Sequence, residues 1–247
     1  MPAVRPAPEW IAASVPKRGN RADENEDATA ASADGLRFAV ADGATEGWES
    51  GRWAARLAAA FVAGPPGPAD FAGWLAAARD WAPPAADPEP WYVTVKQEQG
   101  SFATLAGLEL RRPREAPGWA WRAVTVGDSC LFQIRDDQVE LAVPLGSAGE
   151  FGNRPALVPS STGLPCPPPG WFTGRARPGD LFLLATDAAA ARLLGPAGPA
   201  AGLAAARAAL AAGDGGPLAD WCRGVQDATN DDVSVLAVRL HSAPEPP

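Results

Sequence analysis

The stretch "RFAVADGATEGWESGRWAARLAAAFVAG", residues 37–64, contains the first decision about the fold. Leu36 to Ala41 is a short apolar run of the kind that makes a buried strand, and it stops on Asp42 and Gly43. From Ser50 onward the pattern changes. Trp53, Leu57 and Phe61 recur every four residues, with Ser50 as N-cap and Gly64 as stop, so a helix is predicted. An Asp-Gly pair after a strand is ordinarily only a turn, because Asp bonds its own backbone and Gly tolerates positive φ. Asp42 therefore acquires meaning only if other carboxylates occupy comparable places.

Outward from this stretch, further strands are predicted at about Trp10 to Val15, Ser101 to Leu110, Ala120 to Val126 and Cys130 to Arg135. Others follow at Val139 to Val143, Leu181 to Ala185 and Val233 to Leu240. A second helix over "ADFAGWLAAARDW" comes directly after the first. Later helices are expected across Ala188 to Leu194, Gly202 to Ala212 and "PLADWCRGVQ", where Leu218, Trp221, Cys222 and Val225 share one face. This order does not alternate as a doubly wound parallel sheet would. The expected class is α+β, with antiparallel sheets flanked by helices. A chain of 247 residues suits a single domain, with a core from about 14 to 240. The Pro-rich "PPAADPEP" joins the second helix to the central strands. "RPALVPSSTGLPCPPPGW" belongs to an expected irregular flap over about 147–175, and the tail 242–247 is expected to fray.

Composition removes whole classes of chemistry. A net charge of −8 and a pI of about 4.7 argue against a nonspecific grip on nucleic acid, and "RRPRE" reads as a solvated hairpin tip. No apolar run approaches bilayer length, so no membrane association is expected. The opening "MPAVRPAPEWIAASVPKRGN" lacks a basic segment followed by an apolar stretch and a small-residue cleavage site, which makes the cytoplasm the expected location. Cys130, Cys166 and Cys222 are odd in number and form no CxxC pair, so neither a disulfide framework nor a structural zinc is indicated. The single histidine, His241, leaves Ser-His-Asp triads, Cys-His pairs and His-rich metal sites without their central residue. Any catalysis falls to carboxylates.

Those carboxylates recur at the ends of apolar runs. "NEDATA" places Glu26 and Asp27 just before a short strand, "LFLLATDAAAA" reaches Asp187, and "TNDDVSVLAVRL" sets Asp231 and Asp232 ahead of the last strand. "AVTVGDSCLFQI" puts Asp128 between two strands, where Gly-Asp-Ser reads as a structural hairpin turn. Each alone suits a cap or turn. As a set they imply carboxylates deep between layers, where an unpaired charge costs several kcal/mol and a cation is needed. Oxygen ligation without His or Cys selects hard divalent ions, Mg²⁺ or Mn²⁺.

"NRADENEDA", "FAVADGATEGWESGRWAARLA", "AVTVGDSCLFQI", "LFLLATDAAAARLL" and "DDVSVLAVRL" occur in the order and approximate spacing of the type 2C (PPM) metal-dependent serine/threonine phosphatases, and the chain resembles their bacterial branch from about Ser14 to Leu240. The resemblance implies an α-β-β-α sandwich with a two-metal site at one end. It implies that Asp42 bridges two Mn²⁺ or Mg²⁺ ions, that the Gly43 carbonyl sits on one of them, and that Asp187 and Asp231 bind the other. Glu26 and Asp27 match the pair that holds metal-bound waters. In this chemistry two cations roughly 3.5 to 4 Å apart activate a bridging hydroxide as nucleophile and stabilise both oxygens of an in-line displacement. Arg21 is the matching phosphate-binding arginine. The implied substrate is a phosphoserine or phosphothreonine protein, such as a serine/threonine kinase or its target.

The chain also departs from the pattern. Arg21 stands five residues before Glu26 where the family has four, which brings Arg18 into consideration. Ala44 replaces the acid that some members use to protonate the leaving group. For a third metal, "KQEQG" before "SFAT" offers only Glu98, and that ion stays open. Trp48 is a candidate wall of the cleft. A dehalogenase-type aspartyl phosphatase would need an Asp where Ala44 stands. The competing reading is a pseudophosphatase, the same fold kept as a binding or sensing module; an α+β domain with merely acidic turns would bind no divalent metal.

Overall fold

The computed structural model describes residues 7–45, 47–80, 100–113, 118–152 and 154–241. Two five-stranded antiparallel sheets are stacked face to face. One has the order β1 (Glu9–Val15), β12 (Val233–Arg239), β11 (Leu181–Ala185), β7 (Cys130–Arg135), β8 (Gln138–Val143). The other has the order β10 (Gly170–Ala176), β6 (Trp119–Val126), β5 (Leu105–Arg111), β3 (Arg37–Asp42), β2 (Asp27–Ala31). A small ribbon pairs β4 (Phe102–Ala103) with β9 (Val158–Pro159). Helices α1 (Ser50–Ala63) and α2 (Phe71–Arg79) cover the second sheet, and α3 (Asp187–Leu194), α4 (Ala200–Ala212) and α5 (Gly216–Thr229) cover the first. This is the α-β-β-α sandwich expected from the sequence.

The continuous apolar runs have a direct cause: the inner strands are buried on both faces. In β11, Leu181, Leu183 and Ala185 meet the helices while Phe182 and Leu184 meet the opposite sheet. In β3, Ala39 and Ala41 lie against α1, and Phe38 and Val40 enter the space between sheets. Side chains alternate faces along a strand. Asp42 therefore continues the parity of Phe38 and Val40 and points into the inter-sheet space at its open end. Asp27 is its partner in the β2–β3 ladder and shares that face.

Several local features differ from the sequence reading. Helix α1 starts one residue early: Glu49, in the left-handed region at φ 52°, is the cap position, and Ser50 is already helical with its Oγ unpartnered. The strand expected over Ser101 to Leu110 breaks at Thr104, because β4 pairs with β9 while β5 pairs with β3 and β6. The flap ends earlier than 175, since β10 pairs with β6 along its whole length. The "PPAADPEP" linker, Glu98 and the tail 242–247 lie outside the described residues. No helix among the described residues is long and apolar enough to cross a membrane.

Candidate metal centre

The open end of the sandwich holds a cleft of about 720 Å³ whose charged lining residues are Asp42, Asp128, Asp187, Asp231 and Arg154. Each aspartate arrives for a local reason. Asp42 ends β3, and its main chain is clamped: Thr104 N donates to the Asp42 carbonyl at 2.8 Å, and Asp42 N donates to Thr104 Oγ1 at 3.1 Å. Gly43 follows with no room for a side chain, since a Cβ there would lie 2.6 Å from the Ser50 carbonyl carbon and 2.8 Å from the Glu26 carbonyl oxygen. Asp187 opens α3 directly after β11. Asp231 follows Asn230, whose left-handed backbone (φ 56°) stops α5 and turns the chain toward β12. Asp128 occupies the β6–β7 turn, opened by Gly127 at φ 92°.

Asp27 sits behind Asp42, fully enclosed. Its Oδ2 accepts a hydrogen bond from Thr186 Oγ1 at 2.9 Å, across from the other sheet, while Oδ1 has no partner among the described residues. Ser234 N donates to Thr186 Oγ1 at 3.0 Å, and the Ser234 and Ser14 hydroxyls meet at 2.7 Å, so a polar thread ties both sheets together at this end. Asp128 Oδ1 is likewise buried and unpartnered.

The electrostatics are those of a site short of positive charge. Burial, then the charges of Asp27 and Asp187, hold the Asp42 carboxyl well above the usual range. Burial pushes Asp27 up to about 8 against the lowering hydrogen bonds of Thr186 and Ser234, with Asp232 and Asp187 adding to the rise. Burial, Asp128 and Asp231 push Asp187 up to about 6, and burial raises Asp128. Among the described residues, none of Asp27, Asp42, Asp128, Asp187 and Asp231 forms an ion pair. The donor set is all oxygen, and two buried carboxylate oxygens lack partners, so the residues fit a hard divalent cation. As they stand, no three His, Cys, Asp or Glu side chains among the described residues are gathered into a ready chelate.

Of the residues predicted from the sequence, Asp42, Gly43, Asp187 and Asp231 line one cleft, with Asp27 behind them. Glu26 is held aside: its Oε2 takes Lys17 Nζ at 3.0 Å and Thr45 Oγ1 at 2.7 Å. Arg21 does not join the group. Its side chain is exposed and bonded to Asp23 at 3.1 Å, with Glu24 at 3.8 Å. Arg18 pairs with Asp227 at 2.9 Å. Trp48 is not among the lining residues. Asp232 is buried and structural, its carboxylate accepting the backbone N–H of Lys17 at 2.7 Å and of Glu26 at 3.1 Å. Two charged lining residues escaped the sequence reading. Asp128, taken for a turn residue, is one. Arg154, inside the flap, is the other.

No protein-family model matches the sequence, and no curated protein matches it. Solved structures do. The PPM serine/threonine phosphatase MsPP from Mycobacterium smegmatis, in complex with cacodylate, is 22% identical, with TM-score 0.58 over 94% of this chain and 97% of that one. The catalytic domain of the serine/threonine phosphatase PstP, in complex with two manganese ions, is 21% identical, with TM-score 0.59 over 95% and 99%. PppA, a regulatory component of T6SS in Pseudomonas aeruginosa, is 17% identical, with TM-score 0.61 over 96% and 99%. The chain has the fold of the PPM-type serine/threonine phosphatases.

Proposed function

We propose that the protein is a metal-dependent phosphatase acting on phosphoserine or phosphothreonine in proteins, such as a serine/threonine kinase or its target in the cytoplasm. The observation that carries this reading is the gathering of Asp42, Asp128, Asp187 and Asp231 around one cleft, with Asp27 behind, and no ion pair to any of them among the described residues. Asp42, the Gly43 carbonyl, Asp187 and Asp231 would hold two Mn²⁺ or Mg²⁺ ions, with Asp128 beside them and Asp27 and Glu26 in the surrounding shell. When bound, the ions supply charge neutralisation and Lewis acidity toward water and the phosphoryl ester.

The chain's own residues do the rest. Thr104 fixes the main chain of Asp42, and the Thr186 hydroxyl fixes Asp27, so the ligands are held before any ion arrives. The nucleophile is hydroxide from solvent, because the only histidine, His241, lies 2.8 Å from Glu9 and no Ser or Cys can be activated by it here. Ala44 follows Gly43 at the cleft wall, so the departing seryl or threonyl oxygen takes its proton from water. A pseudophosphatase remains the second reading, favoured by the position of Arg21 outside the cleft and by the absence of a ready chelate among the described residues.

Hydrolysis of a small aryl phosphate, measured with Mn²⁺, Mg²⁺ and excess chelator alongside calorimetric Mn²⁺ titration, separates the readings. Turnover that requires metal is expected. Full activity after thorough chelation would sink the mechanism, and tight Mn²⁺ binding with no turnover would select the pseudophosphatase.

A further inference from the structure

A cleft ringed with carboxylates repels the phosphoryl dianion it is meant to receive, so some cation must face the substrate as well as the metals. The geometry points to Arg154, on the loop between β8 and β9, as the residue that grips the phosphoryl oxygens, in place of Arg21. This rests on the phosphatase reading above. Arg154 is the one cationic residue among the described residues lining the cleft. The other cations on the segment before Glu26 are engaged: Lys17 with Glu26, Arg18 with Asp227, and Arg21 with Asp23 and Glu24. Arg154 forms no hydrogen bond or ion pair among the described residues, and its guanidinium is free to make a forked, charge-assisted contact.

A free side chain is useful only on a fixed main chain, and the loop is fixed on both sides of the cleft wall. The Ala156 carbonyl presses so closely on Gly127 that a Cβ there would lie 2.7 Å away, which ties the loop to the turn that carries Asp128. Two residues further on, Val158 pairs with Ala103 in the β4–β9 ribbon, and its carbonyl accepts the Trp53 indole N–H at 2.9 Å. Arg79 Nε donates to the Pro159 carbonyl at 2.9 Å, and Ser101 N donates to Ser160 Oγ at 2.8 Å. Arg154 thus stands at the cleft a few residues from an anchored ribbon. Arg21, by contrast, belongs to a short 3-10 turn whose carboxylates Asp23 and Glu24 already occupy it.

The test is calorimetric titration of inorganic phosphate into the protein in excess Mn²⁺, for the wild type, Arg154→Lys, Arg154→Ala and Arg21→Lys. Separate Mn²⁺ titrations and thermal melts of each variant check the metal site and the fold. Lys cannot reproduce the fork of Arg, so phosphate affinity should fall about tenfold or more in Arg154→Lys and further in Arg154→Ala, with Mn²⁺ affinity unchanged and a smaller effect of Arg21→Lys. With aryl phosphate, Arg154→Lys should show the same loss in kcat/KM. Wild-type phosphate affinity in Arg154→Ala, a larger loss in Arg21→Lys, or no phosphate binding by the wild type would each overturn the assignment. Phosphate binding is read without turnover, so a wild type that binds phosphate through Arg154 yet hydrolyses nothing would refute the enzymatic reading and leave this one standing.

Discussion

Strand β11 has an aspartate at each end, Asp180 buried and Asp187 half-buried, and the two are treated in opposite ways. Just before it, Asp180 accepts hydrogen bonds from Arg135 Nε at 3.0 Å and a terminal guanidinium nitrogen at 2.7 Å, from Gln133 at 2.9 Å and from Arg177 N at 3.0 Å. Burial alone would raise its pKa, but these donors outweigh it and the carboxyl lies below the usual range. Just after the strand, Asp187 is pushed up to about 6 by burial and then by Asp128 and Asp231, which face it instead of a cation. Residue type and a place in the fold do not distinguish these carboxylates. Partners do: one end is neutralised from within the chain, and the other is left for something from outside.

The sharpest way to break the contrast is Asp42→Asn, which removes charge where the chain supplies no cation. It should lower kcat/KM by roughly two to three orders of magnitude, weaken Mn²⁺ binding, and leave the chelated protein at least as stable as the wild type, because a repelling charge is gone. Marked destabilisation in chelator would show that Asp42 is structural. At the paired end, Asp180→Asn should do the reverse. It leaves the Arg135 guanidinium with only the exposed Glu140 at 3.5 Å and should cost about 3 kcal/mol in denaturant melts, with Mn²⁺ affinity unaltered; a change in metal binding would mean that the two ends are coupled.

Asp232→Asn tests the boundary between the two kinds of carboxylate. It weakens acceptance of two backbone N–H groups and should cost about 1–3 kcal/mol of stability, with a much smaller loss of activity than Asp42→Asn. Equal losses of activity would move the metal ligand from Asp231 to Asp232. The same unpaired end is tested without any substitution through its pH dependence. In the folded chain Asp27 titrates at about 8 and Asp187 at about 6, against 3.8 for an ordinary Asp. The folded state then holds more protons than the unfolded chain between these values, so its contribution to stability is full below about 4 and is lost as pH rises through 6 and 8. In excess chelator the melting temperature should fall from pH 5 to pH 8, by about 2–4 °C for each ~1 kcal/mol lost. Stabilisation by Mn²⁺ should grow over the same interval, and a chelated protein that melts higher at pH 8 than at pH 5 would contradict the assignment.

The parts of the fold legible in the sequence are those where burial fixes composition. β7 and β11 match the predicted bounds because both of their faces are covered, so an apolar run ends where the cover ends. β10 escaped because it is a half-exposed edge strand written with Gly170, Thr173 and Gly174, the last of them leaving room for the Trp121 ring, which a Cβ would approach to 2.4 Å. The site divides in the same manner. Asp42, Asp187 and Asp231 abut apolar runs, and linear position was enough to single them out. Asp128 does not form the hairpin turn expected from Gly-Asp-Ser: β6 and β7 belong to opposite sheets, so residues 127–129 cross between the layers and carry the carboxylate to the cleft, which spacing along one strand pair cannot show. Arg154 lies in a Pro-rich stretch without periodicity, and only the anchoring of β9 brings it near Asp42. Arg21 shows the converse failure, since a motif spacing one residue out of step left its side chain to local acids.

Thr104 is where strand exchange and the proposed metal ligand meet. Its amide and hydroxyl hold the Asp42 main chain, and within two residues the same backbone leaves the large sheet and becomes the ribbon that carries the loop of Arg154. That makes the threonine a mechanical junction. A pull on the loop, such as an arriving protein substrate would exert, loads the peptide groups on either side of Asp42 through the amide and hydroxyl of this single residue. Hydrogen exchange at the Asp42 and Thr104 amides is accordingly a strain gauge for that loop, readable in a protein that has never seen a phosphate.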